Sequence, residues 1–512
     1  MASARFVRGH MIAPPAVTET QRRLMLGPLL LSTTLVMLNQ TNVVVALPHM
    51  QGAFSATRDQ IAWILTSYLV AMTILTASAG WLGARFGRKR VYLMALGGFC
   101  LSSILCGQAT SLETELVFRL VQGLASGPIM PITQSIMLDS YPKERHAQAL
   151  GLWGISITVG PVLGPILGGF ITEDYGWPWV FYFNVPFGLL CMAGVILWVP
   201  DVSRDLGRRF DGIGFLAMAV FITCFQLVLN RGQTLDWYDS PEIIVETGAA
   251  LLALYILVVH TATARLSFIE PRVFADKNFV LGLAFVFIWA MTVNGPIVLL
   301  SLRLQSLDGL PVALVGMLMA PRGLGGVIGM SVVGRAAQAI NPKLVAVAGF
   351  ICIAASGWMM QGWPTHADRF DVALAGFILG FGIAQTYVSL TVMAMATIPA
   401  RLRPDAVSLY SLVANIGMGA GVAIAILVLA QSAQTHHEML AAHVNVFNEL
   451  LRDRLVPHGW NIASAQGLSA VEQQVLQQAT TIAFNDAFRL ITFAAVFALP
   501  FVYFLTRPAR NR

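Results

Sequence analysis

The chain has 512 residues, of which 56% belong to the hydrophobic set and only 11% are Asp, Glu, Lys or Arg. A soluble domain has roughly a quarter charged residues, so this chain has too few charges to coat the surfaces that its length would form in water. These values exclude a soluble enzyme, a nucleic-acid-binding protein and a disordered protein. The formal net charge of +6 is explained first by membrane topology, because basic residues collect on one side of membrane proteins.

Charge-poor intervals long enough to cross a bilayer follow one another along the chain. A hydrocarbon core about 30 Å thick needs roughly 20 apolar residues in a helix. The intervals span residues 23–58, 59–85, 90–113, 119–139, 145–173, 174–201, 211–231, 246–265, 277–303, 308–335, 343–368, 371–401, 405–438 and 489–507. They are too long for strands and lack period-2 alternation, so we predict an all-α protein with 14 transmembrane helices.

An internal repeat divides the chain into two halves. Shifting the sequence by the interval from Gly123 to Gly380 also superimposes other residues without a gap. The further matched pairs are Pro142 and Pro399, Ala149 and Ala406, Leu152 and Leu409, Gly160 and Gly417, and Gly164 and Gly421, with Trp153 opposite Tyr410. The interval between Gly123 and Gly380 is longer than six spans, which leaves room for extra helices between the halves. We therefore predict six helices, two inserted helices and six more. The two halves should be related by a pseudo-two-fold axis.

The predicted domains follow from this division. They are a cytoplasmic N-terminal segment (1–23), a six-helix bundle (24–200), a linker with two inserted helices (201–278), a second bundle (279–506) and a cytoplasmic tail (507–512). The second bundle includes a polar extracytoplasmic excursion (431–484). Most of the 32 Lys and Arg residues fall on one side if both termini are cytoplasmic, which predicts that orientation in the inner membrane.

We predict no metal or other cofactor. In the stretch HHEMLAAH, His436 and His443 are seven positions apart, about 10.5 Å along a helix. Two imidazoles so far apart cannot easily share one ion, and a solvated helical surface explains them.

A glycine-rich basic loop joins the second and third spans. GWLGARFGRKR contains Gly80, Gly83, Arg85, Gly87, Arg88 and Lys89. The glycines permit close approach of helix ends, and the basic residues hold the loop at the membrane interface. The loop serves either as a topological anchor alone or as a gate that slides against the other half.

The fifth span carries a stripe of small residues with two prolines. Within GISITVGPVLGPILGG lie Gly160, Pro161, Gly164, Pro165, Gly168 and Gly169. Glycines four residues apart give a smooth surface for helix packing, and the paired prolines favour a helix that bends.

Two arginines fall inside spans, Arg119 in FRLVQG and Arg322 in PRGLGG. An intramembrane Arg indicates a functional site unless it snorkels to the interface. Uncharged polar residues within spans are candidates to line a substrate cavity, although each is as suited to tying helices together. They are Asn39, Asn42, Gln122, Asn294, Gln385 and Asn415.

Six motifs together resemble one family of membrane proteins. They are LNQTNVVVALP (38–48), GWLGARFGRKR (80–90), FRLVQG (118–123), GPVLGPILGG (160–169), WPWVFYFNVPFG (177–188) and APRGLGGVIGM (320–330). With the inserted helix pair, this order is similar to the fourteen-helix drug:proton antiporter branch of the major facilitator superfamily, the EmrB/QacA type. The resemblance implies export of amphipathic small molecules from the cytoplasm, driven by inward proton flow through alternating access. It also implies contact with a periplasmic adaptor protein.

The chain departs from that family pattern at two acidic positions. Asn39 stands where the family usually has an Asp associated with proton coupling, and Ala84 stands where its loop motif usually has another. A carboxamide does not titrate in the physiological range. We find no Asp or Glu in the central part of any span, so Asp139 or Asp486, near span ends, would have to carry the proton.

This shortage of acids leads to a prediction about substrates. Arg119 and Arg322 are expected to lack an acidic partner in the membrane, where an uncompensated charge is expensive. An anionic substrate would supply that partner, so we expect a preference for acidic or neutral compounds over cationic dyes.

Other functional classes fit less well. None of the four lysines precedes Ser or Thr, so a phosphate-binding loop of an ATP-driven pump is absent from the sequence. No nucleophile, base or metal-ligand cluster indicates an enzyme. A facilitator without proton coupling remains a rival because of Asn39, and a non-transporting receptor is a more distant one.

Overall fold

The computed structural model describes residues 18–142, 145–201, 210–232, 235–264, 270–336, 341–399, 401–444 and 464–504. Several predicted segments therefore lie partly outside the described residues. These are the N-terminal segment (1–17), parts of the linker (202–209, 233–234 and 265–269), part of the excursion (445–463) and the tail from 505 onward.

Sixteen α-helices make up the described chain. The first six spans contain α1 (Glu19–Ala53), α2 (Arg58–Phe86), α3 (Arg88–Gly107), α4 (Leu112–Ser126), α5 (Ile129–Ser140), α6 (His146–Tyr175), α7 (Trp179–Tyr182) and α8 (Asn184–Trp198). The inserted pair is α9 (Gly212–Arg231) and α10 (Pro241–Thr263). The remaining spans are α11 (Lys277–Ser306), α12 (Val312–Ala336), α13 (Pro342–Met360), α14 (Arg369–Met395), α15 (Arg403–Ala441) and α16 (Ala465–Phe501).

These helices form 14 stretches long and apolar enough to cross a membrane. Two stretches are each built from two helices, α4 with α5 and α7 with α8. The described residues contain no β-strand. The prediction of an all-α fold with six, two and six spans is confirmed.

Capping residues explain where many helices begin. Thr57 and Ser111 form capping boxes at the starts of α2 and α4, and Asp276 accepts two backbone N–H bonds at the start of α11. Gly87 lies between α2 and α3 with φ of +91°, a conformation that a side chain would strain. The turn between the two helices therefore depends on glycine at this position.

The two halves repeat the same packing scheme. In the first half α1 packs on α6 and α8, α2 on α4, and α3 on α4 and α8. In the second half α11 packs on α15 and α16, α12 on α14, and α13 on α14 and α16. The two major contacts between the halves, α2 with α15 and α6 with α12, exchange under this correspondence. The packing therefore has the predicted pseudo-two-fold relation.

The inserted pair lies outside this symmetry. Helix α9 packs on both α2 and α15, and Gln226 of α9 donates a hydrogen bond of 3.0 Å to Thr73 of α2. Helix α10 packs mainly on α9. The pair thus covers one of the two seams at which the halves meet.

Two span boundaries differ from the sequence prediction. The fourth span begins at Leu112, so Glu113, Glu115 and Arg119 lie within its first helix. The predicted boundary at Arg119 was wrong because charges were taken as span limits, whereas a capped helix can carry them in its first turns. The last span likewise begins before its predicted limit, because Asp486 and Arg489 lie inside α16.

Candidate functional site

We call the end of the bundle that carries Arg88, Asp139 and Arg403 the basic face, and the other end the opposite face. A buried polar network lies toward the opposite face of the first half, centred on Arg119 of α4, which has no exposed surface. Its guanidinium donates hydrogen bonds to the Gln122 side chain and, at 3.3 Å, to the Ile64 carbonyl of α2. The guanidinium carbon also lies 4.2 Å from the centre of the Tyr68 ring. Arg119 is therefore held inside the helix bundle rather than reaching toward an interface.

Gln122 extends this network to three other helices. It donates to Ser103 of α3 at 2.8 Å and accepts from Asn39 of α1 at 3.4 Å. Asn39 in turn accepts a hydrogen bond of 3.1 Å from Asn184 of α8. We call Asn39, Ser103, Arg119, Gln122 and Asn184 the Arg119 network. The structure thus brings together three residues that the sequence singled out separately, Asn39, Arg119 and Gln122.

A carboxyl group that the sequence analysis overlooked lies beside this network. Glu115, one helical turn before Arg119, has no exposed surface, and neither of its carboxyl oxygens has a hydrogen-bond partner among the described residues. The expectation that Arg119 has no acid near it in the membrane is therefore wrong. The i, i+4 spacing of Glu115 and Arg119 was the signal that could have revealed it.

Arg322 occupies a different environment in the second half. It lies on α12, is partly buried and donates a hydrogen bond of 2.9 Å to the Val293 carbonyl of α11. Among the described residues, no acidic side chain forms an ion pair with it. The α12 backbone at this point packs so closely on α14 that a Cβ added to Gly380 would lie 1.9 Å from the Arg322 carbonyl oxygen.

The other polar residues predicted to line a cavity do not join the Arg119 network. Asn42 is buried beside Gly164 and Gly168 of α6, and its side-chain atoms have no partner in the described chain. Asn294 and Asn415 are partly exposed and Gln385 is buried. Their role in lining a cavity stays a prediction.

An ion bridge ties the two halves together at the basic face. Asp139, at the end of α5, accepts hydrogen bonds from Arg88 of α3 and, at 2.7 Å, from Arg403 of α15. Nearby, a Cβ on Gly80 would lie 2.8 Å from the Asp405 side chain and 2.9 Å from the Pro404 carbonyl oxygen. The loop therefore contacts the other half directly at Gly80, and Arg88 is linked to Arg403 only through Asp139.

Other residues of the loop make contacts within the first half. Lys89 donates to the Ile196 carbonyl of α8 at 2.8 Å, and Gly83 packs near the Arg88 side chain. Gly87 provides the turn described above. Arg85 lies in the last turn of α2 and is partly buried. The gating role of the loop stays a prediction.

An aromatic layer fills the interface further inside the bundle. The ring of Tyr387 lies 4.6 Å from Trp289, 6.0 Å from Trp153 and 6.3 Å from Tyr410, measured between centroids. Trp153 belongs to α6 and the others to the second half, and Gln134 of α5 donates to the Tyr387 hydroxyl at 3.4 Å. All four rings are buried. The aromatic layer and the ion bridge thus both join the two halves on the side of the basic face.

The small-residue stripe of α6 is a packing surface for α1. Gly160 lies against Met37, Gly164 against Thr41 and Gly168 against Asn42. A Cβ atom would not fit at Gly160 or Gly164. Pro161 is exposed, Pro165 lies near Gly316 of α12, and Gly169 lies near Val45. Helix α6 continues through both prolines from His146 to Tyr175. The bending role of the prolines stays a prediction.

The second half repeats the glycine contacts of this stripe. Gly417 and Gly421 of α15 lie against Phe287 and Met291 of α11, just as Gly160 and Gly164 of α6 lie against α1. Another glycine surface faces the other side of α6. A Cβ on Gly323 of α12 would meet Val162 at 2.1 Å, and one on Gly326 would meet Thr158 at 2.8 Å. At these two positions of the seam between α6 and α12, side chains of α6 therefore pack directly on the glycine backbone of α12.

The two carboxyl groups predicted to titrate lie far apart in the fold. Asp139 forms the ion bridge at the basic face. Asp486 of α16 lies toward the opposite face, where it bonds to His436 of α15 at 2.8 Å and pairs with Arg489 at 3.4 Å. The proton-carrying role of each stays a prediction.

Comparison with known proteins identifies the family. The family model described as Major Facilitator Superfamily matches residues 29–422. The chain is 30% identical to "Multidrug export protein EmrB" of Haemophilus influenzae over 485 residues, covering 93% of this chain and 94% of that protein. It is 29% identical over 484 residues to "Fatty acid resistance protein FarB" of Neisseria gonorrhoeae, covering 93% and 95% respectively.

Solved structures with low sequence identity share the fold. The proton:xylose symporter XylE aligns with a TM-score of 0.60 at 14% identity, covering 94% of this chain and 96% of that one. The human organic anion transporter MFSD10 aligns with a TM-score of 0.58 at 13% identity, covering 94% and 100%. The chain is thus a multi-pass membrane protein, and it belongs to the Major Facilitator Superfamily, a family of transport proteins rather than enzymes.

Proposed function

We propose that the protein exports amphipathic small molecules from the cytoplasm in exchange for protons, by alternating access. The observation that carries this proposal is the closed interface between two symmetric halves. The ion bridge at Asp139 and the aromatic layer join the halves toward one face, and each half carries an arginine within its spans, Arg119 buried and Arg322 partly buried. The relatives named multidrug export proteins supply the direction of transport and the class of substrate.

The proposed orientation places the basic face in the cytoplasm of a cell with an inner membrane, with both termini on that side. Basic residues concentrate there, as the positive-inside rule requires. Cysteines introduced beside Arg88 and Arg403 should react with an impermeant thiol reagent only after the cytoplasmic side becomes accessible. Labelling of the two positions from opposite sides would contradict both the orientation and the repeat.

Proton exchange is tested in proteoliposomes with two fluorescent probes, the cation ethidium and a dansyl-labelled fatty acid. For a one-to-one exchange, a gradient of about one pH unit supports about tenfold accumulation. We expect accumulation of at least one probe, lost when an ionophore collapses the gradient. Equilibration of both probes regardless of the gradient identifies the facilitator, and binding of both without flux identifies a receptor.

We further propose that acidic or neutral substrates are preferred, and that Arg322 is the residue responsible. No acid pairs with this cation within the described chain, and its hydrogen bond goes to the backbone carbonyl of Val293. One relative is named a fatty acid resistance protein, which is consistent with an anionic substrate.

The substitution Arg322→Gln tests this preference, with Arg322→Lys as the charge-conserving control. We expect the glutamine variant to lose uptake of the dansyl fatty acid at least tenfold more than uptake of ethidium, because only the anion uses the positive charge. The lysine variant should retain more of the anion uptake. Equal loss of both probes in the glutamine variant would count against the preference.

A periplasmic adaptor is proposed to contact the helical protrusion at the opposite face. Helices α15 and α16 continue beyond the other spans there, and His437 of α15 bonds to Glu472 of α16 at 2.7 Å. Removal of residues 442–463 should leave transport in proteoliposomes intact but reduce protection of whole cells. Unchanged protection would exclude this contact.

A further inference from the structure

Glu115 lies within an apolar part of the first half. The neighbouring hydrophobic cluster includes Ile61, Ile64, Cys106, Val180 and Phe181, drawn from α2, α3 and α7. In the described chain neither carboxyl oxygen of Glu115 has a hydrogen-bond partner. A carboxylate without donors is expensive in such surroundings, whereas a neutral carboxylic acid is tolerated more easily.

The ionisable groups around Glu115 and Arg119 come from three helices. On its own helix, the Arg119 guanidinium lies one turn away, and on α3 the buried thiol of Cys106, a weak donor, lies beside the carboxyl group. Tyr68 of α2 lies under the guanidinium. Of these groups only Arg119 carries a permanent positive charge, and it favours the carboxylate. Burial and Arg119 thus act on Glu115 in opposite directions.

Such a balance allows the protonation state to change when the surroundings change. Glu115 is the fourth residue of α4, about 5 Å along the helix axis from its first residue at the opposite face. A small opening at that face would expose the carboxyl group to water and permit proton exchange.

The Arg119 network gives a change at Glu115 a route to other helices. With a neutral Glu115, the Arg119 guanidinium is free to bond to Gln122 and the Ile64 carbonyl, as observed. Once Glu115 releases its proton, its carboxylate attracts the guanidinium and draws it away from Gln122. That movement loosens the contacts of Gln122 with Asn39 of α1 and Ser103 of α3.

We propose that Glu115 takes up and releases the coupling proton, in place of the non-titratable Asn39. The proton binds one carboxyl oxygen and later leaves to water, and the resulting carboxylate pairs with Arg119. This inference rests on the proton exchange proposed above. Glu115, Arg119 and Gln122 then act as one unit that converts protonation into a rearrangement of α1, α3 and α4.

The first test follows the proton directly and does not depend on a substrate. The infrared carbonyl band of protonated carboxylic acids is recorded on the purified protein from about pH 5 to about pH 9. We expect a titrating band in the wild type that is missing in Glu115→Gln and present in Glu113→Gln. Glu113 is the matched control because it lies on the same helix but is exposed. The same titrating band in all three proteins would overturn the proposal.

The second test separates coupling from substrate movement, again in proteoliposomes with the ethidium and dansyl fatty acid probes. We expect Glu115→Gln to lose gradient-driven accumulation of the transported probe while still exchanging it at equilibrium. Glu113→Gln should retain both activities, and Glu115→Asp should recover part of the driven accumulation. Driven accumulation in Glu115→Gln equal to the wild type would overturn the role of Glu115. An absence of driven accumulation in the wild type would instead refute the proposed proton exchange.

Discussion

The same helix interface carries an arginine in each half, but the arginine belongs to a different helix of the pair in each case. In the α2–α4 pair the arginine belongs to α4, four residues before Gly123. In the α12–α14 pair, Gly376 occupies the equivalent place four residues before Gly380, and the arginine comes from α12. Arg119 has a carboxyl group one turn away and a network reaching three helices, whereas Arg322 has one backbone carbonyl.

This difference suggests a division of labour between duplicated halves. An arginine beside a buried acid suits proton transfer, because the acid can be either protonated or ionised next to the positive charge. A cation without an acid suits an anionic ligand. The two proposed roles, proton transfer beside Arg119 and anion binding at Arg322, thus go with an arginine on α4 in one half and on α12 in the other.

The largest expected effect comes from removing the cation of the first half. Arg119→Gln should abolish gradient-driven transport of every probe, because the Arg119 network loses its centre and Glu115 its counter-charge. Arg322→Gln should spare ethidium in the same proteoliposome assay. If both substitutions abolished transport of both probes to the same extent, the two arginines would not differ in role.

The next largest effect is expected where α14 packs on the backbone of α12 at Arg322. Gly380→Ala places a Cβ against the Arg322 carbonyl oxygen, so α12 must shift and we expect a loss of about 1–3 kcal/mol in stability. Gly376→Ala is the control, since its Cβ would lie 3.7 Å from the Arg322 Cβ, an ordinary contact. Thermal unfolding in detergent should lower the Tm of the first variant only. Equal Tm values would contradict the tight packing.

A smaller effect is expected at the ion bridge that joins the halves. Asp139→Asn weakens the pairing with Arg88 and Arg403, so the basic face should open more often. A Gln134→Cys reporter beneath the bridge should then react with a thiol reagent several-fold faster. Glu19→Gln is the control because the exposed Glu19–Arg23 pair lies within one helix. Unchanged labelling in Asp139→Asn would show that the bridge does not hold the gate.

The smallest effect should come from Lys89, the neighbour of Arg88. Its ammonium bonds only to the Ile196 carbonyl within the first half among the described contacts. Lys89→Gln should change stability by less than about 0.5 kcal/mol and leave Gln134→Cys labelling unchanged. An increase in labelling like that of Asp139→Asn would assign the whole loop to the gate.

The architecture could be predicted from the sequence because its signals are patterns along the chain that do not depend on tertiary contacts. Charge-poor intervals revealed the spans, and glycines at a fixed interval revealed the repeat. Even the matched aromatics Trp153 and Tyr410 proved to lie in one layer. The repeat could not reveal Tyr387, which contacts both rings. Its contacts with Trp153 and Tyr410 arise only when α14 packs in the folded protein.

The site was predicted less completely, for a physical reason. Counting charges as limits of spans hides any charge that is buried in a first helical turn, and Glu115 was lost in this way. Asp139 was recognised as a candidate, but its partner Arg403 is 264 residues away. No spacing rule indicates such a pairing, since it depends on how the halves are assembled.

The position of the inserted helices makes the two sides of the molecule unequal toward the surrounding lipid. Because α9 packs on both α2 and α15, acyl chains are kept from that seam, while the described helices leave the α6–α12 seam without a comparable cover. A hydrophobic molecule dissolved in the leaflet would therefore reach the contact between the halves at the α6–α12 seam, where small side chains of α6 pack on glycines of α12. The extra pair thereby makes the two lipid-facing sides of a nearly symmetric transporter different.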